Sequence, residues 1–146
     1  MGDNTRTKIV DYLSAHLYIN LATVSPDGSP VAHTVGFVND GPVVYFMTDN
    51  KSRKSRNIGN NSRVAFTCDE DYTDFFLIQG VQAKGFAEVV TDRAVIEGIV
   101  GGMMKKFPQV KDLPENPDYI FYRILPEEGV FIDNTQGFGH REETTF

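Results

Sequence analysis

The fold class first becomes visible in residues 17–48, LYINLATVSPDGSPVAHTVGFVNDGPVVYFMT, where three β-rich runs alternate with two turn sequences. The runs cover 17–24, 31–38 and 43–48. Between them lie SPDGSP and NDGP, in which proline fixes the φ angle and glycine tolerates a positive one. Because short turns of this kind join neighbouring antiparallel strands, we predict a three-stranded meander over these residues.

The rest of the chain adds further strands and a few helices. Four more β-rich runs cover 63–68, 75–90, 119–126 and 129–133. Gly80 and Gly85 predict a bend or bulge in the longest of them. Helical patterns cover 4–16, with Asn4 or Thr5 as cap, 52–61, and 91–107, with Thr91 or Asp92 as cap. We therefore predict one mainly β domain over 1–146, a closed or nearly closed antiparallel barrel of six to seven strands with two to three flanking α-helices.

Composition narrows the class of function. The formal net charge of −6 disfavours nucleic acid as a partner, because an acidic surface repels phosphate backbones. We predict no membrane span, since no run of about 18 apolar residues occurs. Cys68 has no second cysteine to pair with, and the charged N-terminal run does not resemble a signal peptide. These features predict a cytoplasmic protein.

A cluster of cations stands out against this acidic background. TDNKSRKSRN, residues 48–57, carries four Lys and Arg residues of the 14 in the chain, and it lies where a strand ends and a helix begins. Free N–H groups and the helix dipole favour an anion at such a point. Arg53 and Lys54 would add charge, and Thr48 and Ser52 would add hydroxyl groups. We interpret the cluster as a phosphate site; the alternative is a solvated basic turn that balances acidic neighbours.

These residues also carry a family resemblance. Together with NLATVSPDGSPVAHTVGFV and VQAKGFAEVV, they resemble the pyridoxamine 5′-phosphate oxidase-like family of FMN-binding split barrels over residues 16–92. The resemblance implies a split β-barrel and a homodimer with FMN at its interface, with Arg53 and Lys54 holding the phosphate. It also implies that strand 33–38 lines the flavin ring and that Gln82, or failing that Gln79, contacts it. The cofactor-binding residues implied are His33, Thr34, Val35, Met47, Thr48, Ser52, Arg53, Lys54 and Gln82.

The chain departs from true pyridoxamine phosphate oxidases at several points. Val38 stands where they have a lysine, His33 stands where they have an arginine, and their C-terminal Arg/His substrate segment is lacking. The resemblance therefore implies an FMN-dependent oxidoreductase that acts on another small organic substrate. Apart from His33, no side chain suggests an acid or base. The alternatives are a flavin-binding protein without turnover and a split barrel that holds deazaflavin or haem.

Several other features have less specific interpretations. The three histidines, His16, His33 and His140, are not at metal-ligand spacing, so we predict no metal site. The tail GFGHRE, 137–142, is either disordered or docked near the flavin through Phe138, His140 and Arg141. Glu142 and Glu143 are typical of a solvated tail. Gly98 and Gly102 indicate close packing of their helix on the barrel or on a partner.

Overall fold

A computed structural model describes the backbone of residues 2–146 and the side chains of residues 4–146. The predicted mainly β class is confirmed: antiparallel strands form a curled sheet with flanking helices. The strands are β1 (Tyr18–Val24), β2 (Pro30–Gly36), β3 (Val38–Asp40), β4 (Val43–Asp49), β5 (Arg63–Cys68), β6 (Gln79–Val90), β7 (Tyr119–Asp133) and β8 (Arg141–Thr145). The α-helices are α1 (Gly2–Ser14), α2 (Arg53–Asn60) and α3 (Arg93–Lys106).

The order of the strands explains the barrel shape. The hydrogen-bonded order is β2-β1-β5-β6-β7-β4-β3, and β8 adds to β7. The first and last strands of this order are separated along the chain by Phe37 alone, so the sheet must curl until its two ends approach each other. Phe37 is completely buried at this point. The curled sheet, with β2 and β3 as its two ends, is consistent with a split barrel.

The predicted meander over residues 17–48 is wrong in its last pairing. β2 pairs with β1, but β4 pairs with β3 and β7 instead of with β2. The run 31–38 breaks after Gly36 because Phe37 leaves the strand ladder: its N–H donates to Leu17 and its carbonyl accepts from Lys106 Nζ at 3.0 Å. Such a break depends on residues outside the run, so the run alone does not reveal it.

The second half of the sheet differs from the prediction at two places. The runs 119–126 and 129–133 form the single strand β7, and residues Phe75–Leu77 form a short 3₁₀ turn before β6. The predicted irregularity in β6 is confirmed at Gly85, where the register with β7 shifts. A Cβ on Gly85 would lie 2.1 Å from the carbonyl oxygen of Leu125, so this close approach of two backbones requires glycine.

Two apolar clusters hold the helices on the sheet. The main core fills the barrel and includes Ile9 and Leu13 of α1. A second cluster joins Ile99, Met103 and Phe107 to the outer side of β3, β4 and β7. Asp92 caps α3 as predicted. α1, however, begins at Gly2, so the predicted caps Asn4 and Thr5 lie inside it.

The C-terminal tail is ordered by strand pairing. Residues 141–145 form β8 along Glu128–Ile132 of β7. Lys8 of α1 lies 2.7 Å from Glu142, and Arg6 donates to the carbonyl of Thr145 at 2.7 Å. The disordered alternative for the tail is therefore wrong, and Glu142 is an ion-paired residue. None of the helices in the described part of the chain is long and apolar enough to cross a membrane.

Candidate functional site

The start of α2 forms the centre of the candidate site. Ser52 caps the helix, because its Oγ accepts a hydrogen bond from Ser55 N at 3.3 Å. The turn before it is fixed by Asp49, whose carboxylate accepts from Lys51 N at 2.8 Å. In the first turn of a helix, the backbone N–H groups have no acceptor within the helix. Arg53 and Lys54 therefore present free backbone donors where the helix dipole favours negative charge.

Two hydroxyl groups and one ammonium group converge at this helix start. Thr48 Oγ1 donates to Ser52 Oγ at 3.2 Å, and Lys54 Nζ donates to Thr48 Oγ1 at 3.4 Å. Thr48 points to the same side of β4 as the buried residue Phe46. The structure thus brings together three of the residues proposed from the sequence, with Arg53 beside them in the chain.

The balance of charge distinguishes the four cations of this segment. Lys51 lies 2.8 Å from the carboxylate of Asp118. Arg53, Lys54 and Arg56 have no carboxylate partner among the residues that the structure describes. The solvated-turn alternative therefore fits Lys51, which is balanced by an acidic neighbour, and Arg56, which is exposed to solvent. The positive charges of Arg53 and Lys54, the hydroxyl groups and the free N–H groups make up a donor set that fits a phosphate monoester such as that of FMN.

His33 lies near these cations on the inner side of β2. Its Nε2 is 2.9 Å from Thr23 Oγ1, which also accepts a hydrogen bond from Asn57 Nδ2 at 3.0 Å. Burial lowers the pKa of His33 below its ordinary value, and the positive charges of Lys54 and Arg53 lower it further. His33 is therefore a neutral imidazole at neutral pH, within the electrostatic influence of the cation cluster.

Thr23 and Asn57 were missed by the sequence reasoning. They lie 34 positions apart in the chain, and both are almost completely buried. Together they tie β1 to α2 and to His33, while Ser55 Oγ ties the same helix to Tyr122 at 2.6 Å. Polar residues on a helical face give no pattern that identifies a partner on a distant strand, so no sequence signal was available.

Two of the predicted cofactor residues present no side chain to the cation cluster. Val35 belongs to the barrel core with 8% of its surface exposed. Met47 lies on the opposite side of β4 from Thr48 and contributes to a groove beside α3. Any contact of these residues with a cofactor at the cluster would involve the backbone. Their role stays a prediction.

The last two predicted residues, Thr34 and Gln82, lie on the outer face of the sheet. Thr34 is opposite Asn20 in the ladder, Asn20 is opposite Thr67, and Thr67 is opposite Gln82. Three strand spacings of about 4.8 Å separate the ends of this row by about 14 Å. Gln79 donates its amide to Asp133 at 3.1 Å, which leaves Gln82 as the freer of the two glutamines.

A groove beside Gln82 connects it with the tail. This groove has a volume of about 650 Å³ and lies on β6, β7 and β8, with Gln82 and Arg141 among its lining residues. The charged side chains of this groove form ion pairs with one another: Lys84 lies 3.0 Å from Glu128, and Arg141 lies 3.5 Å from Glu143. The tail therefore docks, through strand pairing, and Arg141 shares a groove with Gln82. Contact of Phe138, His140 or Arg141 with a flavin stays a prediction.

Comparison with known proteins agrees with this fold. The model of a family described as pyridoxamine 5′-phosphate oxidase matches residues 5–133. The haem oxygenase HutZ of Vibrio cholerae is 25% identical over 137 residues, which cover 90% of this chain and 76% of HutZ. A solved structure of HutZ from Vibrio cholerae, described there as a haem storage protein, has a TM-score of 0.72 and 20% identity, covering 84% of this chain and 90% of its own.

A second solved structure resembles this chain over most of its length. The conserved hypothetical protein Rv2991 of Mycobacterium tuberculosis has a TM-score of 0.79 and 22% identity, and the match covers 92% of this chain and 88% of that one. At this level of identity, the likeness to either solved structure shows the shared fold.

Proposed function

Because the chain belongs to the pyridoxamine 5′-phosphate oxidase family, we propose that it binds FMN and acts as an FMN-dependent oxidoreductase on a small organic substrate. The observation that carries this proposal is the cluster of cations without carboxylate partners at the start of α2. Arg53 and Lys54 would hold the phosphate by charge-assisted hydrogen bonds, and Thr48 and Ser52 would orient it. The flavin would supply the redox chemistry.

β2 and His33 would contact the flavin ring of the bound FMN. β2 is an edge strand in the described chain, since it pairs with β1 alone, and an edge strand leaves one row of backbone donors and acceptors free. The neutral imidazole of His33 can donate one hydrogen bond and accept another. It is therefore the residue that we expect to hold a proton close to the bound cofactor.

We also propose that the working unit is a homodimer with the cofactor at the interface. Gln82 and Thr34 point to the outer face of the sheet, whereas His33 and Thr48 point to the inner side. A second copy could bring its outer face, with Gln82 and the neighbouring groove, against the first copy's cation cluster. Such an arrangement would supply the second wall that shields a flavin ring from water.

Three measurements on the purified protein test these proposals. Titration with FMN should saturate near one cofactor per chain, and riboflavin, which lacks the phosphate, should bind much more weakly. Light scattering should give a mass of twice the chain's 16.3 kDa. The FMN proposal fails if neither FMN nor FAD binds saturably, and the dimer proposal fails if the FMN-loaded protein is monomeric at micromolar concentration.

Turnover requires a separate test, since a flavin-binding protein without catalysis would pass the tests above. Anaerobic mixing of the FMN-loaded protein with NADH or NADPH should bleach the flavin at a catalytic rate. No bleaching with either donor would favour the non-catalytic alternative. We do not expect pyridoxamine phosphate to be the substrate, because Val38 packs against α3 with its Cγ1 3.4 Å from a Cβ built on Gly102, and so offers no second phosphate site.

Haem is the second candidate cofactor, because HutZ is named for haem in both comparisons. His16 uses both ring nitrogens in hydrogen bonds, to Tyr12 and to Glu70. His33 and His140 each use only Nε2 in hydrogen bonds within the described chain, so Nδ1 is the nitrogen with which either residue would bind iron. Titration with haemin would support this candidate if binding is tighter than that of FMN and is lost in His33→Ala or His140→Ala.

A further inference from the structure

A second groove lies on the other side of β4 from the cation cluster. It has a volume of about 510 Å³ and is walled by β4, α3, the 107–118 loop and the start of β7. The chain has four methionines, and Met47, Met103 and Met104 all line this groove. The fourth, Met1, lies outside the described residues. Every internal methionine of the chain thus contributes to one surface.

The lining of the groove is almost entirely apolar. Ten of its twelve residues are apolar or aromatic, and the other two are Glu115 and Asn116. The amide of Asn116 is already used, because Nδ2 donates to Asp49 at 2.9 Å and Oδ1 accepts from Asp118 N at 2.9 Å. No cationic side chain lines the groove, so it offers no partner for a carboxylate or phosphate.

The floor and the rim of the groove differ in exposure. Met103 on the floor is 7% exposed and belongs to the second apolar cluster. Met104 and Leu113 on the rim are 47% and 45% exposed, so large apolar side chains face water. Methionine is unbranched and polarisable, and clustered methionines adapt to apolar ligands of varied shape.

We propose that this groove binds a small neutral ligand with a flexible hydrocarbon body, at a site separate from the FMN site. Its volume is within the range of small-molecule pockets, about 300–1,000 Å³. The lining disfavours anions, because its one charged side chain is the carboxylate of Glu115, which would repel an acidic headgroup. A neutral ligand would cover Met104 and Leu113 without leaving a charge unpaired.

Methionine methyl NMR tests the proposal directly. The dimer or monomer that exists in solution is labelled with ¹³C at the methionine methyl groups and titrated with 1-decanol, with the FMN state held constant. The signals of Met47, Met103 and Met104, assigned by single Met→Leu variants, should shift and saturate together. Decanoate should bind at least about tenfold more weakly, because its carboxylate finds no cation and faces Glu115.

A pair of variants distinguishes binding of decanol in the groove from its non-specific binding to the protein surface. Val100→Phe fills the groove and should weaken decanol binding about tenfold or more. The matched control, Ala94→Phe, adds the same ring to an exposed position of α3 and should leave binding unchanged. The proposal is overturned if the shifts do not saturate, if decanoate binds equally well, or if Ala94→Phe weakens binding as much as Val100→Phe does. It is also overturned if the methionine shifts depend on protein concentration alone, which would show a second copy in the groove.

Discussion

The ammonium group of Lys51 lies 2.8 Å from the carboxylate of Asp118. Two positions further along the chain, Arg53 begins a helix without any such partner in the part of the protein that the structure describes. One short segment therefore contains a neutralised cation followed by uncompensated ones. Lys51 therefore stabilises the loop through its ion pair, whereas the charge of Arg53 is available to an anion.

The double substitution Arg53→Ala/Lys54→Ala should reduce FMN affinity far more than riboflavin affinity. Two charge-assisted hydrogen bonds would be lost, which corresponds to at least about 3 kcal/mol, or about a hundredfold in affinity. Riboflavin has the same ring but no phosphate, so its affinity should change little. Isothermal titration with both ligands gives the comparison.

Lys51→Ala/Arg56→Ala is the matched control for that experiment. It removes the same formal charge, but Lys51 is paired with Asp118 and Arg56 is exposed to solvent. The loss of an exposed ion pair costs at most about 1 kcal/mol. Equal losses of FMN and riboflavin affinity in Arg53→Ala/Lys54→Ala, or a larger FMN loss in the control, would contradict the assignment of the phosphate site.

The pKa of His33 should report the occupancy of the cation cluster. Burial and the charges of Lys54 and Arg53 lower this pKa, so an anion that neutralises those charges should raise it. Histidine ring NMR over a pH series, with and without inorganic phosphate, measures the shift. In Arg53→Ala/Lys54→Ala the pKa of His33 should already be higher, and phosphate should no longer change it. If neither phosphate nor the double substitution changes the pKa of His33, the electrostatic coupling is disproved.

The same lowered pKa links stability to pH. The unfolded chain takes up a proton on His33 near its ordinary pKa of about 6.5, whereas the folded protein does so only at a lower pH. The free energy of unfolding should therefore fall as the pH is lowered through about 6.5 towards the folded pKa. Urea denaturation of the wild type and of His33→Gln between pH 5 and 8 should show a weaker dependence in the variant.

Thr23→Val should destabilise the protein although it preserves the shape of a completely buried side chain. The valine cannot accept from Asn57 or bond to His33, so a buried amide is left unsatisfied at a cost of about 1–3 kcal/mol. Chemical denaturation measures this cost. Thr67→Val is the control: Thr67 accepts from Asn20 at an exposed position, and its loss should cost less than about 0.5 kcal/mol.

Two glycine substitutions should have opposite effects. A Cβ on Gly85 would meet Leu125 O at 2.1 Å and Pro126 Cα at 2.8 Å, so Gly85→Ala should cost about 1–3 kcal/mol or more as the bulge shifts. A Cβ on Gly98 would meet nothing within 4 Å, and Gly98→Ala should stabilise α3 by about 0.5–1 kcal/mol. Thermal unfolding would refute the account of the bulge if Gly85→Ala were neutral.

The sequence by itself determined the local elements. The cap at Asp92 and the bulge at Gly85 follow from the conformational preferences of a few neighbouring residues, and so does the helix that begins after Ser52. The β-rich runs predicted strands at nearly their observed positions for the same reason. The cation cluster was also visible, because Thr48, Ser52 and Lys54 are brought together by a strand end and a single helical turn.

Only the tertiary structure decided which strands pair and which charged side chains have no ion-pair partner. Phe37 leaves the ladder because Lys106 binds its carbonyl, the tail becomes a strand because β7 has a free edge, and Lys51 is neutralised by a residue from a distant loop. The Thr23–Asn57 contact and the outward direction of Gln82 likewise depend on the curl of the sheet. Each of these features results from contacts between residues far apart in the chain, and local conformational preference carries no information about such contacts.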